Sequence, residues 1–124
     1  MHKSRLAGYI IDCRTDDLEA AADFWSAALG YEREETSEDG IYFSLETPDN
    51  EPYLAVQKVG HESRIHLDIE TDDIEAEVQR LEALGARRLG NVRSWVVMEA
   101  PTGQRFCVVN VHSKHFDETS RHWE

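Results

Sequence analysis

Residues 15–20 read TDDLEA, and residues 71–76 read TDDIEA. The same register aligns residues 10–12 (IID) with residues 66–68 (HLD), so the match begins before the motif itself. A match that recurs at this spacing in a chain of 124 residues indicates a duplicated supersecondary unit. The rest of the sequence can therefore be interpreted as two copies of one arrangement.

Each copy of the motif is typical of the start of a helix. Asp16 and Asp72 each have a glutamate three residues later, which is the spacing of a capping box, and acidic groups stabilise the positive end of the helix dipole. Apolar residues then recur at helical spacing as far as Gly30 in the first copy and Gly85 in the second, where glycine predicts the helix end. The polar positions of the second helix, including Glu77, are predicted to face solvent.

Apolar runs surround both predicted helices. They predict strands at residues 7–13, 31–35, 41–46 and 53–59 in the first copy and at residues 64–69, 87–92, 95–98 and 106–111 in the second. The order β-α-β-β-β thus occurs twice, which predicts an α+β fold. Because only residues 60–63 join the copies, a single domain over residues 1–124 is expected. Its predicted parts are module one at about residues 6–60, module two at about 61–112, and a C-terminal tail at 113–124.

Charge and composition narrow the range of partners. The formal net charge is −12, from 25 acidic and 13 basic side chains, so the protein repels nucleic acid and anionic membranes. No apolar run approaches the roughly 20 residues that span a bilayer, and the N-terminus lacks the apolar stretch of a signal peptide, so a cytoplasmic location is expected. Cys13 and Cys107 lie in predicted strands, which favours buried, reduced thiols over a disulfide.

Both copies carry further short motifs. Residues 17–31 contain DL, FW and LGY in that order, residues 64–69 (RIHLDI) precede LGA at residues 84–86, and residues 100–106 (APTGQRF) form a turn before the last strand. In order and spacing, these fragments resemble the vicinal oxygen chelate superfamily of glyoxalase and bleomycin-resistance proteins, in particular glyoxalase-like members with a Phe-Trp pair. The resemblance implies two βαβββ modules whose sheets form a cup, a small-molecule ligand in that cup, and pairing of two chains as a homodimer.

Members of this superfamily use the cup to hold a divalent metal, which chelates a substrate with vicinal oxygens. The resemblance places the metal ligands at Ile10, His66, Cys107 and one position within residues 54–56, which are all apolar. Only His66 and Cys107 can ligate an ion, whereas a catalytic metal normally keeps about three protein ligands. The sequence therefore predicts no intrinsic metal site and no cofactor.

His66 is the strongest single candidate for chemistry. It shares one strand face with Arg64 and Asp68, so a polar face is predicted to line the cup. His66 is a candidate general base or ligand donor, but no triad partner is visible, and a structural histidine inherited from a metal-binding ancestor is the alternative. Asp12 is equivalent to Asp68 in the repeat. The two are either paired catalytic carboxylates or, as we favour, strand-end residues bonded to the backbone.

Other polar and aromatic residues are candidates for a ligand pocket. Gln57 interrupts an apolar run, and its amide either binds a ligand or lies at a strand edge. Tyr42, Trp95 and Met98 can form an apolar wall for a planar ligand, with core packing as the alternative for each. The predicted ligand-binding residues are His66, Gln57, Trp95, Tyr42 and Cys107.

Residues 112–124 carry three histidines together with Phe116 and Trp123. A metal-binding tail is conceivable, but the spacing of His112, His115 and His122 matches no standard site. A short amphipathic helix docked through the two aromatic residues, or a frayed end, is favoured.

These observations favour a metal-free protein that binds a small molecule in a sequestering or accessory role. The main alternative is a lyase or isomerase of the glyoxalase type, dependent on a metal or on His66 as acid and base. A structural homodimer without a ligand is the third hypothesis. The sequence contains no phosphate-binding loop, nucleophile elbow or dinucleotide-binding fingerprint, so other common enzyme classes have no support.

Overall fold

The computed structural model describes residues 1–37 and 39–124, with twelve elements in chain order. They are β1 (His2–Cys13), α1 (Leu18–Leu29), β2 (Arg33–Thr36), β3 (Tyr42–Leu45), β4 (Tyr53–Lys58), β5 (Arg64–Thr71), α2 (Ile74–Ala83), β6 (Arg87–Val92), β7 (Trp95–Glu99), β8 (Arg105–Asn110), α3 (Phe116–Thr119) and β9 (Arg121–Trp123). The order β-α-β-β-β occurs twice before the tail, so the predicted α+β class is confirmed.

The chain forms two compact units. The first unit is Gly8–His66, and the second unit combines Met1–Ala7 with Leu67–Glu124. Because of this division, β1 and β5 each contribute residues to both units.

Both long helices begin one residue later than the capping-box spacing predicts. The Asp17 carboxylate accepts the N–H of the residue three positions on at 3.0 Å, and Asp73 does the same at 3.1 Å. The hydroxyls of Thr15 and Thr71 accept the N–H groups of these two aspartates at 3.0 and 3.1 Å. Each threonine therefore orders the turn before the helix, and the second aspartate of each Asp-Asp pair becomes the N-cap.

The helices end where glycine predicts. Gly30 adopts a left-handed φ of 77°, and its N–H donates to the carbonyl of Ser26 at 2.9 Å. Gly85, which follows the end of α2, has a φ of 106° that also favours glycine. In the part of the chain that the structure describes, no helix is long and apolar enough to cross a membrane.

The first unit packs one helix against one face of its strands. The strands are hydrogen-bonded in the order β2–β3–β4–β1, with β1 and β4 parallel and the other pairs antiparallel. The core residues contributed by α1 and by β3 and β4 are Leu18, Ala22, Phe43, Leu45 and Val56. We call the opposite face of these strands the helix-free face, because the helix of this unit does not cover it.

The second unit repeats this packing. Its strands are hydrogen-bonded in the order β5–β8–β7–β6, with β5 and β8 parallel. Val78 and Leu81 of α2 pack against Val96, Met98 and Val108. Met98 has no exposed surface, so it belongs to this core and not to the wall of a ligand pocket.

The tail is docked on the second unit and is not frayed. Phe116 is buried, and β9 pairs antiparallel with the start of β1, where Trp123 lies opposite His2. The Trp123 indole N–H also donates to the Ser4 hydroxyl at 2.8 Å. Of the two favoured alternatives, the structure contains a short helix with Phe116 buried, but Trp123 docks from β9, a strand that the sequence did not predict.

Glu77, predicted to face solvent from α2, is instead fully buried. Its carboxylate accepts a hydrogen bond from His2 Nε2 at 2.7 Å and two from Arg80 at 2.9 and 2.8 Å. Burial would raise the pKa of Glu77, but the bonds from Arg80 and His2 outweigh it and hold that pKa below its ordinary value of 4.5. Glu77 therefore stabilises the folded chain in its charged form.

We expect Glu77→Gln to lower the free energy of unfolding at pH 7 by about 2–4 kcal/mol, because it removes one partner of a buried charge network. The carboxylate with a lowered pKa contributes stability above about pH 4.5, and that contribution is lost as the pH falls through the folded-state pKa. Urea unfolding of wild type and variant at pH 7 and at pH 3.5 measures both effects.

Glu75→Gln is the matched control, because Glu75 lies on the same helix with an exposed carboxylate paired to Arg88. Its effect should stay within about 0.5 kcal/mol. Equal losses in the two variants, or a loss in Glu77→Gln that does not shrink in acid, would contradict the assignment.

Candidate functional site

Three polar side chains lie in one line across the strands of the first unit. Tyr42, Gln57 and Asp12 alternate with core residues of β3, β4 and β1, so they point to the helix-free face. Gln57 is the register partner of Tyr42 across β3–β4 and of Asp12 across β1–β4. His66 contacts Asp12 and extends this line. We call Tyr42, Gln57, Asp12 and His66 the polar row.

The polar row contains a hydrogen bond between two predicted ligand-binding residues. Gln57 Nε2 donates to the Tyr42 hydroxyl oxygen at 3.3 Å, and both side chains are half-buried. Tyr42 and Gln57 therefore lie together on the strand face that the sequence predicted for a ligand. The amide and the phenol offer both donors and acceptors at this end of the row.

The other end of the polar row is a histidine–aspartate pair. His66 Nδ1 lies 2.7 Å from Asp12 Oδ2, and the two side chains are 13% and 3% exposed. Since a carboxylate only accepts, the bond places a proton on Nδ1 of His66. The preferred interpretation of Asp12 as a strand-end residue bonded to the backbone is wrong. Asp12 is the partner of His66 that the sequence did not reveal.

Asp12 is not fully satisfied by its neighbours. Its Oδ1 atom is buried and has no hydrogen-bond partner among the described residues, while Arg64 Nε lies 3.9 Å from Oδ2, too far for a hydrogen bond. Burial, and then the neighbouring Asp12 carboxylate, raise the pKa of the Cys13 thiol, which packs on the α1 side. Cys13 is therefore a protonated core thiol, and the chemistry of this region rests on Asp12, His66 and Arg64.

A glycine shapes the far end of the helix-free face. Gly8 is the register partner of Tyr53, and a Cβ atom built on Gly8 would overlap three carbons of the Tyr53 ring. The ring therefore lies directly over the Gly8 backbone, where only glycine leaves room for it. Tyr53 is half-buried and places an aromatic ring on the same face as the polar row.

The remaining predicted ligand-binding residues belong to the second unit. Cys107 is half-buried and is the register partner of the buried Asp68, and Trp95 is half-buried at the start of β7. Trp95 and Val97 alternate with the core residues of β7, so they point away from α2. The structure thus joins Tyr42 with Gln57, and it places Cys107 beside a carboxylate that the sequence did not connect with it.

The family positions for metal ligands carry hydrocarbon side chains in the first unit. Ile10 is 4% exposed, and its register partner Ala55 is also hydrocarbon, so neither family position offers a ligand there. Within the second unit, Cys107 is the register partner of Asp68, so one thiol and one carboxylate lie side by side there. These two groups fall short of the three protein ligands that a catalytic metal normally keeps.

Two shallow grooves of the first unit lie away from the polar row. One runs along the start of α1 past Glu19, Arg33 and Phe43, and the other passes Arg14 and Lys58. Neither includes a residue of the polar row, and charged side chains of both signs line them. The hydrogen-bonded polar row is therefore the better candidate site.

Comparison with models of known protein families shows to which family the chain belongs. The sequence profile described as glyoxalase-like domain matches residues 9–109, more than four-fifths of the chain. The chain belongs to the glyoxalase-like domain family. The predicted membership of the vicinal oxygen chelate superfamily is thereby confirmed. No curated protein matches this glyoxalase-like chain in sequence.

Solved structures share the fold of this glyoxalase-like chain at low identity. A chain described as NAD-dependent benzaldehyde dehydrogenase from Legionella pneumophila has a TM-score of 0.63 at 8% identity, over 84% of this chain and 99% of the other. A hypothetical protein from Bacillus halodurans has a TM-score of 0.61 at 14% identity, over 90% and 96%. Streptomyces coelicolor methylmalonyl-CoA epimerase has a TM-score of 0.54 at 18% identity, over 86% and 98%. At these identities the likeness shows the fold alone.

We expect Gly8→Ala to destabilise the first unit by about 1–3 kcal/mol, because the new methyl group must displace the Tyr53 ring. Urea unfolding at pH 7 measures the change. Gly90→Ala, where a Cβ meets nothing within 4 Å, is the matched control and should have little effect. If Gly8→Ala retained full stability with the Tyr53 ring resonances unchanged, the ring would not lie over Gly8.

Proposed function

We propose that this glyoxalase-like protein binds an organic small molecule on the helix-free face of the first unit, against the polar row. The observation that carries the proposal is the 2.7 Å hydrogen bond between His66 and Asp12. That bond orients the imidazole ring and selects its tautomer, which is what a histidine requires to present one defined nitrogen to a ligand. The role is sequestration of the ligand or an accessory function.

The neighbouring side chains support a polar ligand-binding surface. Gln57 and Tyr42 present an amide and a phenol in line with the His66–Asp12 pair, and Tyr53 adds an aromatic ring farther along the same face. A planar ligand with polar substituents can therefore contact aromatic and hydrogen-bonding groups together. Trp95 and Cys107 of the second unit stay predicted ligand-binding residues. The single domain, the homodimer and the cytoplasmic location likewise stay predictions.

A thermal-shift screen with planar and aromatic metabolites tests the proposal. A ligand that binds the folded chain raises the midpoint of unfolding by mass action. We expect His66→Ala to weaken binding of the hits by about tenfold or more, because a hydrogen bond to an oriented group is lost. His112→Ala is the control, since His112 is an exposed histidine that follows β8. Trp95→Ala tests whether the second unit contributes to binding.

Three results would count against the proposal. Hits that bind His66→Ala and His112→Ala equally well would place the ligand elsewhere. A screen without hits would favour the structural homodimer without a ligand. Hits that depend on Trp95 but not on His66 would move the site to the second unit.

A second candidate function is a lyase or isomerase of the glyoxalase type. It is favoured by the His66–Asp12 pair, because Asp12 would orient the imidazole whether His66 ligates a divalent metal or transfers a proton. When bound, such a metal supplies a Lewis acid that polarises an oxygen of the substrate. Without a metal, His66 itself would accept or donate a proton at Nε2 while Asp12 holds the proton on Nδ1.

Metal analysis separates the two candidates. The protein is equilibrated with zinc, dialysed and analysed for bound metal together with Cys107→Ala. We expect only trace zinc in wild type if the metal-free proposal is correct. One equivalent that is lost in Cys107→Ala would favour the enzyme instead. Cys13→Ala is the control, because Cys13 packs against the core below α1.

A further inference from the structure

We propose that the ligand carries a carboxylate, which Arg64 binds through its guanidinium beside the polar row. This inference rests on the proposed function, since it names the chemical class of the ligand at the same site. Arg64 and His66 are two residues apart on β5, so both side chains point to one face. The Arg64 side chain is 41% exposed, which leaves it accessible to a ligand.

Arg64 is held in place by a neutral partner. His61 Nδ1 donates to the Glu62 carbonyl oxygen at 2.8 Å, so its Nε2 carries the lone pair that accepts a hydrogen bond from Arg64 NH2 at 3.2 Å. On its other side, Arg64 Nε lies 3.9 Å from Asp12. The guanidinium is therefore positioned from two sides, while its NH1 group makes no hydrogen bond among the described residues.

Five other arginines differ from Arg64 in one respect. Each of these five has a guanidinium nitrogen within 3.5 Å of a carboxylate oxygen. These arginines are Arg5, Arg33, Arg80, Arg87 and Arg88. Among the described residues, Arg64 has no carboxylate oxygen within 3.5 Å, and its ion pair with Asp12 is longer, at 3.9 Å.

The ligand group that suits Arg64 follows from the shape of the guanidinium. A guanidinium presents a planar fork of N–H donors, and the ligand group that matches the fork with two parallel hydrogen bonds is a carboxylate. Since the protein has a net charge of −12, its overall field does not attract anions. Recognition must then come from a local contact, and Arg64 supplies one beside His66.

Benzoate and benzamide test this inference, because they share a planar body and differ in charge. We expect benzoate to shift the Arg64 Nε–Hε resonance in a saturable titration and benzamide to leave it unchanged. Arg64→Gln should weaken benzoate binding by about tenfold or more, which is the usual range for a charge-assisted hydrogen bond. Arg64→Lys keeps the positive charge but loses the planar fork of N–H donors, so its affinity for benzoate should lie between those of wild type and Arg64→Gln.

Arg105→Gln is the matched control, since Arg105 is exposed on β8 and has no side-chain hydrogen bond among the described residues. Benzoate that binds Arg64→Gln as tightly as Arg105→Gln would overturn the inference, and so would benzamide that binds wild type as tightly as benzoate. Another outcome is that uncharged planar compounds bind in a His66-dependent way while planar carboxylates bind no more tightly than they do. In that case this inference fails and the proposed function stands. If no planar compound binds, charged or uncharged, both fail.

Discussion

The packing of α1 against Phe43 and Val56 is the constraint on which the candidate site depends. Because side chains alternate along a strand, burying these two residues beneath the helix commits Tyr42 and Gln57 to the opposite face. A one-residue slip of β4 would replace the Gln57 amide with the Val56 side chain and leave hydrocarbon beside Asp12. The site therefore depends on the register of the first unit as much as on the identity of its polar residues.

Local signals explain why much of the fold could be predicted. The ends of both helices follow from glycines that tolerate a left-handed backbone, and the strands follow from short apolar runs bounded by turns. The polar face that carries His66 follows from alternation alone. The predicted N-caps, Asp16 and Asp72, each lie one residue before the observed ones. The difference arises because the hydroxyls of Thr15 and Thr71 accept hydrogen bonds from the N–H groups two residues along the chain. Each of these features depends on neighbours close in sequence.

Contacts between distant residues could not be predicted in the same way. His66 and Asp12 are 54 positions apart, and His2 and Glu77 are 75 apart, so neither pair leaves a local pattern. The solvent-facing assignment of Glu77 failed because a helical period shows which residues share a face, not what packs on that face. The pairing of β9 with β1 joins the two ends of the chain, so the local sequence of neither segment predicts it.

Three of the four buried carboxylates among the described residues differ in a way that bears on function. Glu70 accepts two backbone N–H groups at 2.9 and 3.2 Å, and Glu77 accepts three bonds from His2 and Arg80, so both are satisfied and stabilise the second unit. Asp12 is also buried, yet one of its oxygens has no partner among the described residues, which costs about 1–3 kcal/mol. Stability accounts for the first two carboxylates and not for the third. The bond that Asp12 does make orients an imidazole on the helix-free face, so its cost is better explained by a site than by the fold.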